Sequence, residues 1–387
     1  PEREQIIQRL TKLWNYEKQS PPSKRGGRYY VSRNDGLQNQ YVMYVSNTLG
    51  GEQRVLIDPN EWSDDGTVSL EGTWFSEDGK YVVYGISEAG SDWEKFRVME
   101  IETGKVLDEV IEWVKFSGAD WTNDSQGFFY SRFPAVEGGQ DFQNLNLNKK
   151  LYYHRIGTPQ SDDVLVYERP DHPDWGFNAN VSEDGRWLIL YISKGTDDKY
   201  QILYRDLTDP IAGFIHLVSN FDHKYWFLGN DDDVFYFQTD VDAPRDRVVA
   251  IDIKHPQQEH WKEIIPQAKE TLRVVSLVGD HFIAQYMKDA HSLVKVYQMD
   301  GTFVRDVTFD GIGTISGFSG KRDDPETFYS LSSFNVSSSS YRYDVVTGES
   351  RLIRPSAIDF DGSQYVVEQV FYKSKDGTEI PMFITHR

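Results

Sequence analysis

The chain contains no cysteine. That excludes disulfide scaffolds, thiolate metal sites and cysteine nucleophiles, and it fits a reducing compartment. Long apolar runs are also missing: nothing approaches the roughly 18 residues that a spanning helix needs. Basic residues are scarce. Lys and Arg number 41 against 61 Asp and Glu, a formal charge of −20 over 387 residues. Nucleic acid and anionic membrane surfaces both demand clustered cations, so neither is expected as a partner. The chain begins Pro1-Glu2-Arg3-Glu4, without an initiator Met and without a signal peptide. A processed chain or a piece of a longer one is the expectation.

What is abundant is aromatic: Phe, Trp and Tyr make up 14%. Only the first stretch has helical spacing. Ile6, Ile7, Leu10, Leu13 and Trp14 recur at threes and fours and mark one apolar face. Pro21-Pro22 ends that pattern. Beyond it, short runs of Tyr, Val, Phe, Ile and Leu alternate with Asp, Gly, Ser and Asn turns.

One unit recurs: an aromatic or β-branched residue, Ser-x-Asp-Gly, then an aromatic and branched strand. The clear copies are Phe75-Ser-Glu-Asp-Gly79 before Lys80–Tyr84 and Val181-Ser-Glu-Asp-Gly185 before Arg186–Leu190. Weaker copies are centred on Gly127, Asp233, Asp280 and Pro325. Asp-Gly supplies the positive φ of a tight turn. A strand-filled period in the forties is the pattern of a propeller blade. A further unit precedes these six, with strands at Arg28–Ser32, Tyr41–Ser46 and Arg54–Asp58. The expected fold is therefore all-β: a seven-bladed β-propeller of four-stranded antiparallel blades, with one short N-terminal helix. Expected strands of a typical blade are Glu71–Ser76, Lys80–Ser87, Phe96–Glu102 and Val106–Val110.

The interval from Gly127 to Gly185 is about ten residues longer than its neighbours, and the excess maps to Pro134–Asn148. A polar insertion of this length is either functional or a mobile hairpin tip. After the last repeat unit, Tyr365–Lys373 and Ile380–Thr385 read as a strand pair around Ser374-Lys-Asp-Gly-Thr378. The domain boundaries expected are 1–24, 25–357 and 358–387.

Catalytic chemistry is hard to find. Gly85-Ile-Ser87-Glu-Ala89-Gly resembles a nucleophile elbow, but a strand and not a helix is expected after it. Gly317-Phe-Ser319-Gly320 has the wrong spacing. The nine histidines form no His-x-x-x-His pair and read as surface or satisfied side chains. Asp231-Asp-Asp233 and Asp197-Asp198 lack the spacing of a calcium loop. No phosphate-binding glycine loop opens a helix. No metal and no cofactor are expected. Trp93, Trp113, Trp121, Trp187 and Trp226 read first as core residues between sheets.

Several segments carry a more specific signal. They are Gly36-Leu-Gln-Asn-Gln40, Ser63-Asp-Asp-Gly-Thr-Val68, Ser91-Asp92-Trp93, Val114-Lys-Phe116-Ser, Lys150-Leu-Tyr-Tyr-His154, Ser374-Lys-Asp-Gly-Thr378 and Ile380-Pro-Met-Phe-Ile384. Together they resemble prolyl oligopeptidase, the cytosolic serine peptidase family of the α/β-hydrolase class. In that family a propeller is inserted into a hydrolase domain that carries a Ser-Asp-His triad. This chain resembles the end of the N-terminal hydrolase stretch, the propeller, and the entry strands of the hydrolase domain. No triad residue has a counterpart in it, so whether the chain is itself an enzyme stays open.

The resemblance implies a substrate-gating role in an endopeptidase that cleaves short peptides on the carboxyl side of proline. A macrocyclase relative, or a stand-alone peptide-binding propeller, is the alternative. It also implies a family ring that has no strand locking its first blade to its last. By motif, Asp92 and Trp93 match a pair near the domain interface, and Phe116 matches an aromatic of the outer substrate pocket. Thr196, after Ser193-Lys-Gly195, stands where several members carry a reactive cysteine. The Pro134–Asn148 insertion, with Gly138, Gly139, Asp141 and Asn144, matches the family's mobile interface loop. The partners implied are short proline-containing peptides and the chain's own hydrolase domain. The implied state is a monomer and the implied place the cytoplasm.

Overall fold

The computed structural model describes residues 2–135 and 146–387. The helix forms as the spacing predicts, over Glu2–Trp14. Strands follow in consecutive antiparallel ladders, and the whole is a β-propeller with one α-helix.

The repeat builds its own turns. Ser76 donates its hydroxyl to Asp78 Oδ1 at 2.7 Å, and its Oγ accepts from the amides of Lys80 and Tyr81. Gly79 takes φ +67, which a side chain would resist. The second clear copy repeats this with Ser182, Asp184 and Gly185 at φ +76. The motif is thus a self-satisfied turn that launches the second strand of each unit.

The expectation of seven blades of four strands each is overturned by the hydrogen bonding. The described residues form six sheets of four or more strands, and only four of these have four strands. The first sheet has five: Lys18–Gln19, Ser23–Arg25, Arg28–Asn34, Val42–Ser46 and Arg54–Ile57. The second is one continuous seven-stranded ladder: Val68–Phe75, Tyr81–Glu88, Glu94–Glu100, Val106–Trp121, Gly127–Arg132, Lys150–Arg155 and Val164–Tyr167. Two repeat units share it because Val106–Trp121 runs on without a break. Val114 pairs with both Glu94 and Arg132, and the register shifts on each side. The expected end at Val110 is therefore wrong. The ladder bulges on both sides of Val114, where Trp113 and Phe116 hold φ +64 and +54. Neither is glycine, so the bend is invisible to turn chemistry.

The third to sixth sheets are regular four-stranded meanders spanning 175–218, 225–265, 271–307 and 314–354. A separate two-stranded hairpin, Val366–Lys373 with Glu379–His386, closes the chain where a strand pair was expected.

Apolar side chains fill the wedges between neighbours. Tyr30, Val45 and Ile57 meet Val82, Tyr84 and Ile101 between the first and second sheets. Phe96, Ile111, Trp121 and Phe128 pack within the folded seven-stranded sheet. Further clusters join second to third, third to fourth, fourth to fifth and fifth to sixth. The junction of the sixth sheet with the first is different in kind. Lys24 Nζ reaches Asp324 Oδ1 at 2.6 Å, and the Tyr29 hydroxyl reaches Glu326 Oε1 at 2.6 Å. A cavity of about 430 Å³ lies there, between Tyr29, Arg33 and Leu352. No strand of either sheet pairs with the other among the described residues.

Candidate functional site

Turns between first and second strands, and turns between second and third, fall at opposite ends of the ring. The first end is bound together by polar contacts. Arg28 Nη1 donates to Gly79 O at 2.5 Å, Ser125 Oγ accepts from the Asp78 amide, and Asn123 Nδ2 donates to the Glu183 carbonyl. One turn of the sixth sheet bridges this end. Arg322 pairs with Asp231 at 2.6 Å and Asp280 at 2.7 Å, its amide donates to Glu183 Oε1, and Lys321 pairs with Glu77.

The opposite end carries the flanks and the candidate residues. Lys18 Nζ ties the exit of the helix to Gly36 O at 2.8 Å, in the turn between the third and fourth strands of the first sheet. The C-terminal hairpin touches two turns of the same kind, through Gln369 Nε2 to Asp289 O and through the Phe334–Phe383 ring pair.

Asp92 and Trp93 sit in the turn after Tyr81–Glu88. Trp93 packs edge-on against Trp113 and Phe133, each with centroids 5.9 Å away. Lys115 joins the group: its Nζ is 3.4 Å from Asp92 Oδ2, 5.2 Å from the Trp93 ring centroid and 5.1 Å from that of Phe116. The structure thus brings Asp92, Trp93 and Phe116 together, through a cation that sequence reasoning did not single out. Phe116 is 57% exposed and so does not belong to the core between sheets. Trp93 lines a cavity of about 410 Å³ with Ile86, Glu88, Glu94, Glu112 and Trp113.

Beneath Phe116 lies a second layer. Lys149, 5% exposed, donates from Nζ to the Phe116 carbonyl at 2.6 Å. The Asn178 amide nitrogen, in the orientation that satisfies it, donates to the same oxygen at 3.2 Å. Burial pulls the Lys149 pKa down to about 8, against the field of Glu94. Burial pushes Glu94 up to about 7, with Glu71 adding to the rise and Lys149 opposing it. Nearby Asp120, which accepts from the Val181 amide at 2.6 Å, is pushed up to about 7 by burial.

Thr196 lies exposed in the turn between Trp187–Lys194 and Tyr200–Asp206. Among the described residues, no hydrogen bond, ion pair or ring contact joins it to the Trp93–Phe116 group. Gly138, Gly139, Asp141 and Asn144 lie outside the described residues.

The remaining chemistry is structural. Ser87 is buried and donates to the Ser91 carbonyl at 2.5 Å inside a strand-to-strand turn, so it is no elbow. His154 is a core histidine: its Nδ1 is 2.6 Å from Asp163 Oδ1, both side chains are fully buried, and its Nε2 has no hydrogen-bond partner among the described residues. No group of three or more potential metal ligands occurs among the described residues. No helix of the described residues is long and apolar enough to cross a membrane. The arrangement can hold an extended, partly apolar ligand against Trp93 and Phe116.

Residues 1–356 match the family model described as the prolyl oligopeptidase N-terminal β-propeller domain. The chain is 38% identical over its full length to a prolyl endopeptidase of Elizabethkingia meningoseptica, covering 54% of that protein. It is 31% identical over 402 aligned residues to a dual function macrocyclase-peptidase of Galerina marginata, with 96% of this chain and 54% of that protein covered. A solved prolyl endopeptidase superposes with a TM-score of 0.88 at 34% identity, over 100% of this chain and 55% of its own. Prolyl oligopeptidase B of Galerina marginata, bound to a 35mer hydrolysis and macrocyclization substrate, gives 0.89 at 29%, over 99% of this chain and 57% of its own. The chain spans about half the length of the relatives it matches.

Proposed function

Because the chain belongs to the prolyl oligopeptidase family, through that family's N-terminal β-propeller domain, we propose that it is the substrate-gating part of a serine endopeptidase acting on short proline-containing peptides. In that reading the triad is supplied by an α/β-hydrolase domain. A serine attacks the carbonyl after proline, a histidine takes its proton, and an aspartate orients the histidine. The propeller covers that centre and keeps bulk water and folded proteins away.

One observation carries the reading. Asp92, Trp93, Lys115 and Phe116 lie at the same end of the ring as the helix and the hairpin. Those flanks expose apolar side chains that a covering domain would bury: Ile6, Leu10 and Trp14 on the helix, Phe371 and Tyr372 on the hairpin. Their exposure also speaks against a stand-alone binding module, whose surface would be polar. The far end is bridged by Lys321 and Arg322, which favours substrate entry from the hydrolase side. Hydrolysis is preferred to macrocyclisation because the relative at 38% identity is a prolyl endopeptidase and the macrocyclase-peptidase stands at 31%. In this reading the protein is a cytoplasmic monomer, Asp92 and Trp93 face the domain interface, and Thr196 borders the pocket without a reactive thiol.

The test is to join this chain to the hydrolase domain of a relative and to offer two proline-containing substrates, one a short chromogenic peptide and one a folded protein. Cleavage of the first only is expected. Equal cleavage of both would remove the gating role.

A further inference from the structure

A lysine buried beside an exposed aromatic has a physical cost that calls for a reason. Taking an ammonium out of water is unfavourable unless partners replace the water. Lys149 has two kinds of partner. Its Nζ donates to the Phe116 carbonyl at 2.6 Å, and the Phe133 ring centroid is 5.8 Å away. The acid whose field favours its charge is Glu94. Glu94 Oε2 is itself buried and without a hydrogen-bond partner among the described residues. It sits 2.4 Å from where a Cβ on Gly85 would be, so glycine at that position makes room for it.

Above this pair the backbone is strained. Phe116 is a non-glycine residue at φ +54, a conformation that L-residues resist. Its ring is exposed, so packing does not compensate for the bend. The carbonyl at the bend accepts from both Lys149 Nζ and the Asn178 amide.

We propose that Lys149, with Glu94 as its counter-charge, is a positioning residue that pins the Phe116 carbonyl and thereby aims the Phe116 ring into the substrate pocket. The inference rests on the functional reading above for the word pocket, and on geometry alone for the pinning.

The test separates position from stability. Lys149→Met keeps the length of the side chain but strands the buried acid, and it will unfold more easily. The double variant Glu94→Gln with Lys149→Met removes that penalty. A single 4-trifluoromethylphenylalanine at position 116 reports the ring by ¹⁹F NMR in the 387-residue chain. The expected result is one resonance in the parent and a displaced or split resonance in the double variant, even where its unfolding midpoint matches the parent. An unchanged resonance in the double variant overturns the inference, whatever any enzyme assay gives.

The same variant in the chain joined to a relative's hydrolase domain should raise KM for a short proline peptide about fivefold, with kcat within about twofold. Unchanged KM and kcat beside a displaced resonance overturn the pocket role of Phe116. Absence of turnover by the joined parent overturns the functional reading, and the ¹⁹F comparison still decides the pinning.

Discussion

The Tyr29 hydroxyl donates to Glu326 Oε1 at 2.6 Å, and this bond joins the first sheet of the ring to the last. The same carboxylate also holds Arg342, and the Tyr29 ring meets Phe328 edge-on at 6.1 Å. Other neighbouring sheets share apolar cores, so this seam depends more on polar bonds than they do. A hydrogen bond to a charged acceptor contributes about 1.5–3 kcal/mol. Tyr29→Phe should therefore lower the denaturant midpoint and raise amide exchange along Arg28–Asn34 and Glu326–Ser332. An unchanged exchange pattern would show that the seam is held by something else.

Burial and the Glu326 bond push Tyr29 up to about 12. Its folded pKa is above the unfolded value, so its contribution is complete below about pH 10 and fades as pH rises toward 12. Stability at the seam should fall over that alkaline window in the parent, and the fall should be smaller in Tyr29→Phe. Unfolding curves of both proteins between pH 9 and 12 measure it.

Asp120 gives the opposite half of a pH profile. Its folded pKa is raised to about 7 by burial, so the folded state holds its proton where the unfolded state has released it. Stability from this group is present at low pH and is lost as pH rises from about 4 to about 7. Asp120→Asn keeps an oxygen for the Val181 amide and cannot ionise. Relative to the parent, the variant should gain stability across that interval, on the order of a few kcal/mol by pH 8. Parallel midpoints at all pH values would contradict a neutral acid at position 120.

Phe116 offers a clean substitution pair. Its side chain is mostly exposed, so Phe116→Ala should change stability little. Phe116→Gly should be more stable than Phe116→Ala by about 1 kcal/mol, because glycine takes φ +54 without the steric cost that a Cβ brings. Thermal unfolding of the two variants decides it. In most strands the same comparison would go the other way.

Arg322 ties its turn to Asp231 and Asp280 and, through its amide, to Glu183. These pairs are partly exposed, so Arg322→Ala should cost about 1 kcal/mol or less overall. Its clearer effect should be local: faster amide exchange in the turns at Glu183, Asp231 and Asp280, with the parent approaching the variant at high salt. Exchange that does not respond to either change would mean that the turns are fixed by their own hydrogen bonds.

Much of this was legible in the residues. Ser76, Asp78 and Gly79 form a local turn, and local chemistry is what a sequence shows best. The helix at Glu2–Trp14 and the hairpin around Ser374–Thr378 were equally plain. The blade count failed at Val106–Trp121, where one strand serves two repeat units, the ladder bulges around Val114, and the positive-φ residues are Trp113 and Phe116, not glycine. Lys149 was missed because its partners are distant: Phe116 is 33 residues away in sequence, and Glu94 further still. Phe116 itself came from motif resemblance, since no spacing or turn chemistry marks it. The Arg322 bridge was hidden for the same reason, since a charge run in a turn gives no sign of what it will meet across a ring.

The most direct test of a gating propeller without its own catalytic machinery is turnover of a short proline-containing chromogenic peptide. It should be measured for the purified 387-residue chain and for the chain joined to a relative's hydrolase domain. The expected result is no turnover by the chain alone and serine-inhibitor-sensitive turnover by the joined protein. Turnover by the chain alone, blocked by the same inhibitor, would place a nucleophile within these 387 residues and contradict the proposed division of labour.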